Sequence, residues 1–157
     1  MIGVKVMVKM TQLELEKLVN SLSVTYFGKP YKDEVTFNNR LRTTGGRYIP
    51  SQRRIELNPK YLDEMDDDEF YGIIKHELCH YHLHIEGKGY KHRDFEFKQL
   101  LKQTGSPRFC QPLPSEIKKR SFKYICTDCG QVYLRKKRIQ TNRYRCGKCK
   151  GRLKREE

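Results

Sequence analysis

The chain has 157 residues, with 33 Lys+Arg against 19 Asp+Glu and a formal net charge of +14. That length suits one domain of moderate core plus a small appendage, and no apolar run approaches the ~18 residues of a membrane-spanning helix, so no membrane partner is expected. The charge is uneven: residues 1–117 hold 18 basic and 16 acidic side chains, whereas residues 118–157 hold 15 and 3, so the basicity belongs to the tail.

Residues 1–10 read as an N-terminal extension or an extra strand; they lack a small-residue cleavage site and are not read as a signal peptide. Six cysteines without a secretion signal point to a reducing, cytoplasmic setting and to metal binding rather than disulfides. Thr11-Gln12-Leu13-Glu14 has capping-box spacing, and Leu15, Leu18, Val19 and Leu22 follow at helical intervals, which predicts a helix over 11–27. Gly28-Lys29-Pro30 ends it. A strand over 33–39 centres on Val35 and Phe37, and β-like runs at 41–48 and 51–57 flank Ile49-Pro50, with Gly45-Gly46 permitting a bend. Together they predict a small antiparallel sheet, one edge of which would hold an extended substrate by strand addition.

An acidic run, Asp66-Asp67-Asp68-Glu69, then opens a helix over 67–85 with Phe70, Ile73, Ile74 and Leu78 at helical spacing. This helix carries His76-Glu77-Leu78-Cys79-His80. Residues i and i+4 share a helix face about 6 Å apart, so His76 and His80 can each offer a ring nitrogen to one ion. Glu77 is displaced by about 100°, where a carboxylate reaches a water on the metal rather than the metal itself, a general base's position. Zinc held by three protein ligands keeps a fourth position open for such chemistry.

The third ligand comes from elsewhere. His84 lies eight residues past His76, a rise of roughly 12 Å, too far to share the ion. His82 points to another side of the helix, and the long metzincin pattern is absent because Leu83 and Glu86 stand where its Gly and third His would be. Gly87 and Gly89 let the chain return, which makes His92 the natural candidate, with Glu86, Asp94 and Glu96 as carboxylate alternatives. A further helix over 94–103 is expected to turn Phe95, Leu100 and Leu101 inward and to hold His92 in place. Residues 106–117, with Pro107, Pro112 and Pro114, read as a semi-rigid linker.

In the tail, Cys126-x-x-Cys129 and Cys146-x-x-Cys149 stand 16 residues apart. Two such knuckles close a tetrahedral structural zinc site, and in a segment of this size the metal supplies the folding energy. Around it Lys118, Lys119, Arg120, Lys123, Arg135, Lys136, Lys137, Arg138, Arg143 and Arg145 alternate with Phe122, Tyr124, Tyr133 and Tyr144. The cations suit a nucleic acid, DNA in single-stranded or mixed form, while the aromatics are read chiefly as the ribbon's own core.

His76-Glu77-Leu78-Cys79-His80, a glycine-containing loop and His92-Arg93-Asp94-Phe95 opening a helix together resemble the SprT-like family, related to the Spartan protease of eukaryotes. The resemblance runs from about residue 11 to the C-terminus. It implies that the third ligand is His92, from an element that normally has glycines where this chain has Lys91 and Arg93. It also implies an α+β fold: a small zincin-like metallopeptidase domain over 11–105, followed by a four-cysteine zinc ribbon over 118–157. The activity implied is a zinc endopeptidase with Glu77 as general base, acting on DNA-bound or DNA-crosslinked proteins, with one catalytic and one structural zinc. Tyr48, Tyr81, Tyr90 and Arg93 are candidate oxyanion donors. The alternative is a non-enzymatic nucleic-acid-binding or transcription-associated zinc protein, against which the retained Glu77 argues.

Overall fold

A computed structural model describes residues 10–118 and 122–156. The possible strand at 1–9 and the tail cations Lys119 and Arg120 lie outside the described residues, as does the side chain of Lys118. The chain divides into two compact units, residues 1–113 and 114–157. No described helix is long and apolar enough to cross a membrane.

In the first unit α1 (Gln12–Phe27) starts at the expected capping box: the Glu14 amide donates to Thr11 Oγ1, and the Thr11 amide donates to the Glu14 carboxylate. Gly28, left-handed at φ 68°, ends it. Strands β1 (Glu34–Phe37), β2 (Gly46–Ile49) and β3 (Arg54–Leu57) form one sheet in the order β1-β3-β2. The sheet is mixed and not wholly antiparallel, as β3 pairs antiparallel with β2 but parallel with β1. The cause is the connection over 38–45, which carries the chain past the sheet to its far edge, so that the tight turn after β2 brings β3 back up between the two earlier strands. Among the described residues that leaves β2 on an edge.

Two short helices were not foreseen: α2 (Pro59–Glu64), capped by Asn58, and α5 (Pro114–Lys118). The long helix α3 (Asp67–Ile85) is capped by Asp66 and has Asp67, Asp68 and Glu69 in its first turn, favourable to the helix dipole. It is the spine of the unit. Ile73, Ile74, Leu78 and Tyr81 pack with Leu15 and Val19 of α1 and with Val35, Ile55 and Leu57 of the sheet. A smaller cluster of Cys79, Leu83, Phe97 and Leu101 joins α3 to α4 (Phe95–Thr104). The start of β2 meets α3 closely: a Cβ on Gly45 would sit 2.7 Å from Ile73 Cδ1, and one on Gly46 would sit 3.2 Å from Ile73 Cγ2. Glycine at both positions lets the edge strand approach α3.

The stretch expected as a linker joins the first unit as far as Leu113. Leu113 is buried in the main core, and the Gln111 amide donates to Glu69. The prolines do not detach this stretch, because Leu113 has apolar surface to bury.

In the second unit β4 (Phe122–Cys126), β5 (Val132–Arg135) and β6 (Leu153–Glu156) form an antiparallel sheet in the order β5-β4-β6. Two equivalent turns hang from it. The Gly130 amide donates to the Cys126 carbonyl at 3.0 Å and the Lys150 amide to the Cys146 carbonyl at 2.9 Å, with both residues left-handed.

Candidate metal centres

His76 and His80 project from one face of α3, and the chain returns through Gly87, left-handed at φ 71°, to bring His92 beside them. The Nε2 atoms of His76 and His80 each lie 3.1 Å from Nε2 of His92. On the other side of each ring, His76 Nδ1 donates to the Pro107 carbonyl and His80 Nδ1 to the Tyr90 carbonyl. With their protons held at Nδ1, His76 and His80 turn Nε2 lone pairs towards the point where His92 also brings Nε2, an arrangement that repels itself without a cation. Ligands about 2.0–2.1 Å from a tetrahedral zinc would stand about 3.3 Å apart, close to what is found, so these residues fit the ion. Burial lowers the pKa of His76 and takes that of His80 down to about 4, keeping both rings neutral as ligands.

The carboxylate alternatives are used otherwise. Glu86 pairs with Lys29 and Lys88, the Asp94 carboxylate accepts the Lys91 amide at 2.9 Å, and Glu96 lies against Gly89. His82 is a packing residue, 2.7 Å from the Ser23 hydroxyl and against Phe27.

Phe97 was missed by the sequence reading, which turned Phe95 inward. Phe95 is 72 % exposed, whereas Phe97 is fully buried and lies against all three imidazoles, stacked on His80 at 4.2 Å and edge-on to His76 and His92. The signal lay in the spacing of Phe97, Leu101 and Thr104, one face of α4.

Glu77 is 6 % exposed and lines a cleft of about 530 Å³ with the three histidines. Burial pushes its carboxyl up to about 8; a cation held beside it would oppose that shift. One wall is edge strand β2 with Thr43 to Tyr48, and another is Pro107 to Cys110, which places Arg108 and Phe109 in the cleft. Of the candidate oxyanion donors, Tyr48 and Tyr90 line this cleft and Tyr81 and Arg93 do not; the Tyr81 hydroxyl is committed to Asp33 at 2.6 Å.

In the ribbon the four Sγ atoms of Cys126, Cys129, Cys146 and Cys149 lie within 4.8 Å of one another. Cys126 and Cys149 are 3.4 Å apart and Cys129 and Cys146 are 3.7 Å apart, far beyond a disulfide and close to the ~3.8 Å edge of a zinc tetrathiolate. The Tyr133 hydroxyl, 3.2 Å from Sγ, leads the effects that lower the Cys146 thiol to about 6, and the Cys129 amide leads those that lower Cys126. Cys149 shifts the other way: the Gly151 amide lowers it, but hydrogen bonds with Cys126 and Cys129 outweigh that and push it up to about 12. Two of the four thiols are thus favoured as thiolates, and a dication would favour the rest.

Residues 15–119 match the model of the SprT-like family, and residues 120–155 match that of the SprT-like zinc ribbon domain. The chain belongs to the SprT-like family. It is 63 % identical over 144 residues to Protein SprT-like of Oceanobacillus iheyensis, covering 92 % of this chain and 96 % of that one. It is 56 % identical over 147 residues to Protein SprT-like of Bacillus subtilis, covering 93 % and 98 %. Among solved structures, the metallopeptidase zymogen abylysin of Pyrococcus abyssi is similar at a TM-score of 0.45 and 20 % identity, over 57 % of this chain and 77 % of that one.

In this SprT-like chain the ribbon's aromatics divide. Tyr124 is buried and its hydroxyl accepts the Ile139 amide, while Tyr144 is 51 % exposed. Of the cations expected to meet nucleic acid, Lys123 pairs with Glu156 at 2.6 Å and Lys136 pairs with Glu116. Arg135, Lys137, Arg138, Arg143 and Arg145 are exposed.

Proposed function

We propose that this chain is a zinc-dependent endopeptidase that acts on proteins bound or crosslinked to DNA, with the basic ribbon as its DNA-recruiting element. One observation carries the reading: a buried glutamate and three converging imidazoles share an open cleft with the edge strand of a sheet. A purely structural site needs neither the carboxylate nor the cleft. Zinc, when bound by His76, His80 and His92, supplies Lewis-acid activation of a water and of the scissile carbonyl.

The chain's own residues do the rest. Among the described residues β2 pairs only with β3, so its outer edge can take an extended polypeptide by backbone hydrogen bonds, which demands little of the substrate's sequence. Glu77 accepts a proton from the attacking water at its carboxylate and returns it to the leaving amine. Phe97 and the Pro107 and Tyr90 carbonyls hold the imidazoles still while this happens. In the ribbon, Cys126, Cys129, Cys146 and Cys149 would hold a second, structural zinc, and the exposed arginines and lysines would neutralise phosphates without reading sequence.

The test is cleavage of a DNA-binding protein by the zinc-loaded chain and by Glu77→Gln, each with and without single- and double-stranded DNA. Cleavage by the wild type alone, and only with DNA, is expected. Equal cleavage by Glu77→Gln would refute the mechanism. DNA binding without any cleavage would leave a non-enzymatic binding factor.

A further inference from the structure

His84 lies one turn beyond His80 on the same face of α3, too far along to share its ion. It occupies the space between two tyrosines that line the cleft. The hydroxyl of Tyr48, on β2, lies 2.7 Å from His84 Nδ1, with the rings edge-on at 5.6 Å. On its other side the His84 ring meets that of Tyr90 at 4.8 Å, also edge-on. The Tyr90 carbonyl is the group that receives the Nδ1 proton of His80. Tyr48 is braced in turn by Tyr81, edge-on at 5.9 Å, whose hydroxyl is fixed on Asp33. Burial, reinforced by Asp33, pushes the Tyr48 phenol up to about 12, so Tyr48 stays a neutral hydroxyl in its hydrogen bond with His84.

We propose that His84 is a positioning residue that spaces the edge strand from the ligand loop. Its hydrogen bond to Tyr48 sets where β2 lies along the cleft, and its ring sets how Tyr90 presents a carbonyl to His80. The strand half of this proposal rests on the peptidase reading; the ligand-loop half rests on geometry alone. The two halves separate by substitution, because His84→Phe and Tyr48→Phe remove the hydrogen bond and keep the rings, whereas His84→Ala removes both.

The experiment uses the full chain. Zinc affinity at the histidine site is measured by competition with a chromophoric chelator, kcat and KM are measured on a disordered polypeptide in the presence of single- and double-stranded DNA, and thermal unfolding checks that each variant folds. His84→Ala is expected to weaken zinc binding about 10–100-fold, the usual loss when a group orienting a ligand is removed. His84→Phe and Tyr48→Phe are expected to keep zinc affinity and raise KM with little change in kcat, and the double variant to be no worse than either single one. Wild-type zinc affinity in a folded His84→Ala overturns the ligand-loop half. Multiplying losses in Tyr48→Phe with His84→Phe, or an unchanged KM, overturn the strand half. A wild type that binds zinc but cleaves nothing refutes the peptidase reading and the strand half with it, while the chelator titration still decides the loop half.

Discussion

Phe97 offers the sharpest test of how the site is held. It is fully buried and makes three ring contacts to the histidines, the closest a stack at 4.2 Å on His80. In Phe97→Leu most of the buried volume remains. The lost aromatic contact costs about 0.5–1.5 kcal/mol and imperfect repacking up to about 1.5, so a stability loss of about 1–2 kcal/mol is expected. The imidazoles lose the plane that fixes them, and zinc affinity should fall about 10–100-fold. Leu101→Ala is the control, since Leu101 belongs to the same cluster at 6 % exposure and has no ring contact with the histidines. It should cost about 2–5 kcal/mol of stability and leave zinc affinity nearly unchanged. Denaturant unfolding of the zinc-loaded chain and chelator competition give the two quantities. If zinc affinity simply tracked stability, so that Leu101→Ala lost more zinc than Phe97→Leu, the orienting role of Phe97 would be refuted.

Burial takes the His82 pKa from an ordinary 6.5 down to about 4, so the folded state resists a proton that the unfolded chain accepts. The stability His82 contributes is therefore present above about pH 6.5 and lost as pH falls towards 4, by roughly 3 kcal/mol, and His82→Gln should flatten that limb of the stability-against-pH curve. Asn58 is fully buried, its amide nitrogen donates to the Thr44 carbonyl and its backbone amide donates to Gly45, so it pins the wall that leads into β2. Asn58→Ala should cost about 1–3 kcal/mol by thermal unfolding and lower kcat/KM more than zinc affinity. Cys146→Ser removes a buried thiolate ligand and should leave one zinc per chain by metal analysis, an unfolded ribbon and no salt-sensitive DNA binding, with the histidine site still loaded.

The elements that could be read from the sequence are those where several local signals agree. α3 was expected over 67–85 and spans Asp67–Ile85, because an Asp66 cap, an acidic first turn and an apolar stripe all specify it. α1 followed for the same reason. α2 and α5, at 6 and 5 residues, are too short to show a period, and the parallel pairing of β1 with β3 depends on where a loop crosses, which no local pattern encodes. The first residues of α4 defeated the phase of the reading. Phe95 and Phe97 are equally apolar, and the contact with three imidazoles that selects Phe97 exists only after folding. The stretch 106–113 was misjudged by composition: its prolines resemble a tether, yet the Pro107 carbonyl orients a ligand and Leu113 fills the core.

Lys91 and Arg93, where relatives of this family are expected to have glycines, show how the ligand loop tolerates such a change. Glycine is required where φ is positive or where backbone approaches another group too closely for a Cβ. Among the described residues only Arg53 and Lys150 are non-glycine with positive φ, so neither Lys91 nor Arg93 is strained. The demanding positions are earlier in the loop: Gly87 is left-handed at φ 71°, and a Cβ on Gly89 would stand 2.6 Å from the Glu96 carboxylate. Around His92 the turn is closed instead by Asp94, whose backbone amide donates to the Lys91 carbonyl while its side chain accepts the Lys91 amide, both at 2.9 Å. With Gly87 and Gly89 taking the conformational burden and Asp94 clamping the turn, positions 91 and 93 are free to carry long cations. Lys91 lines the cleft beside His92, so the substitution that departs from the family element puts a lysine on the cleft wall without disturbing the backbone that presents His92.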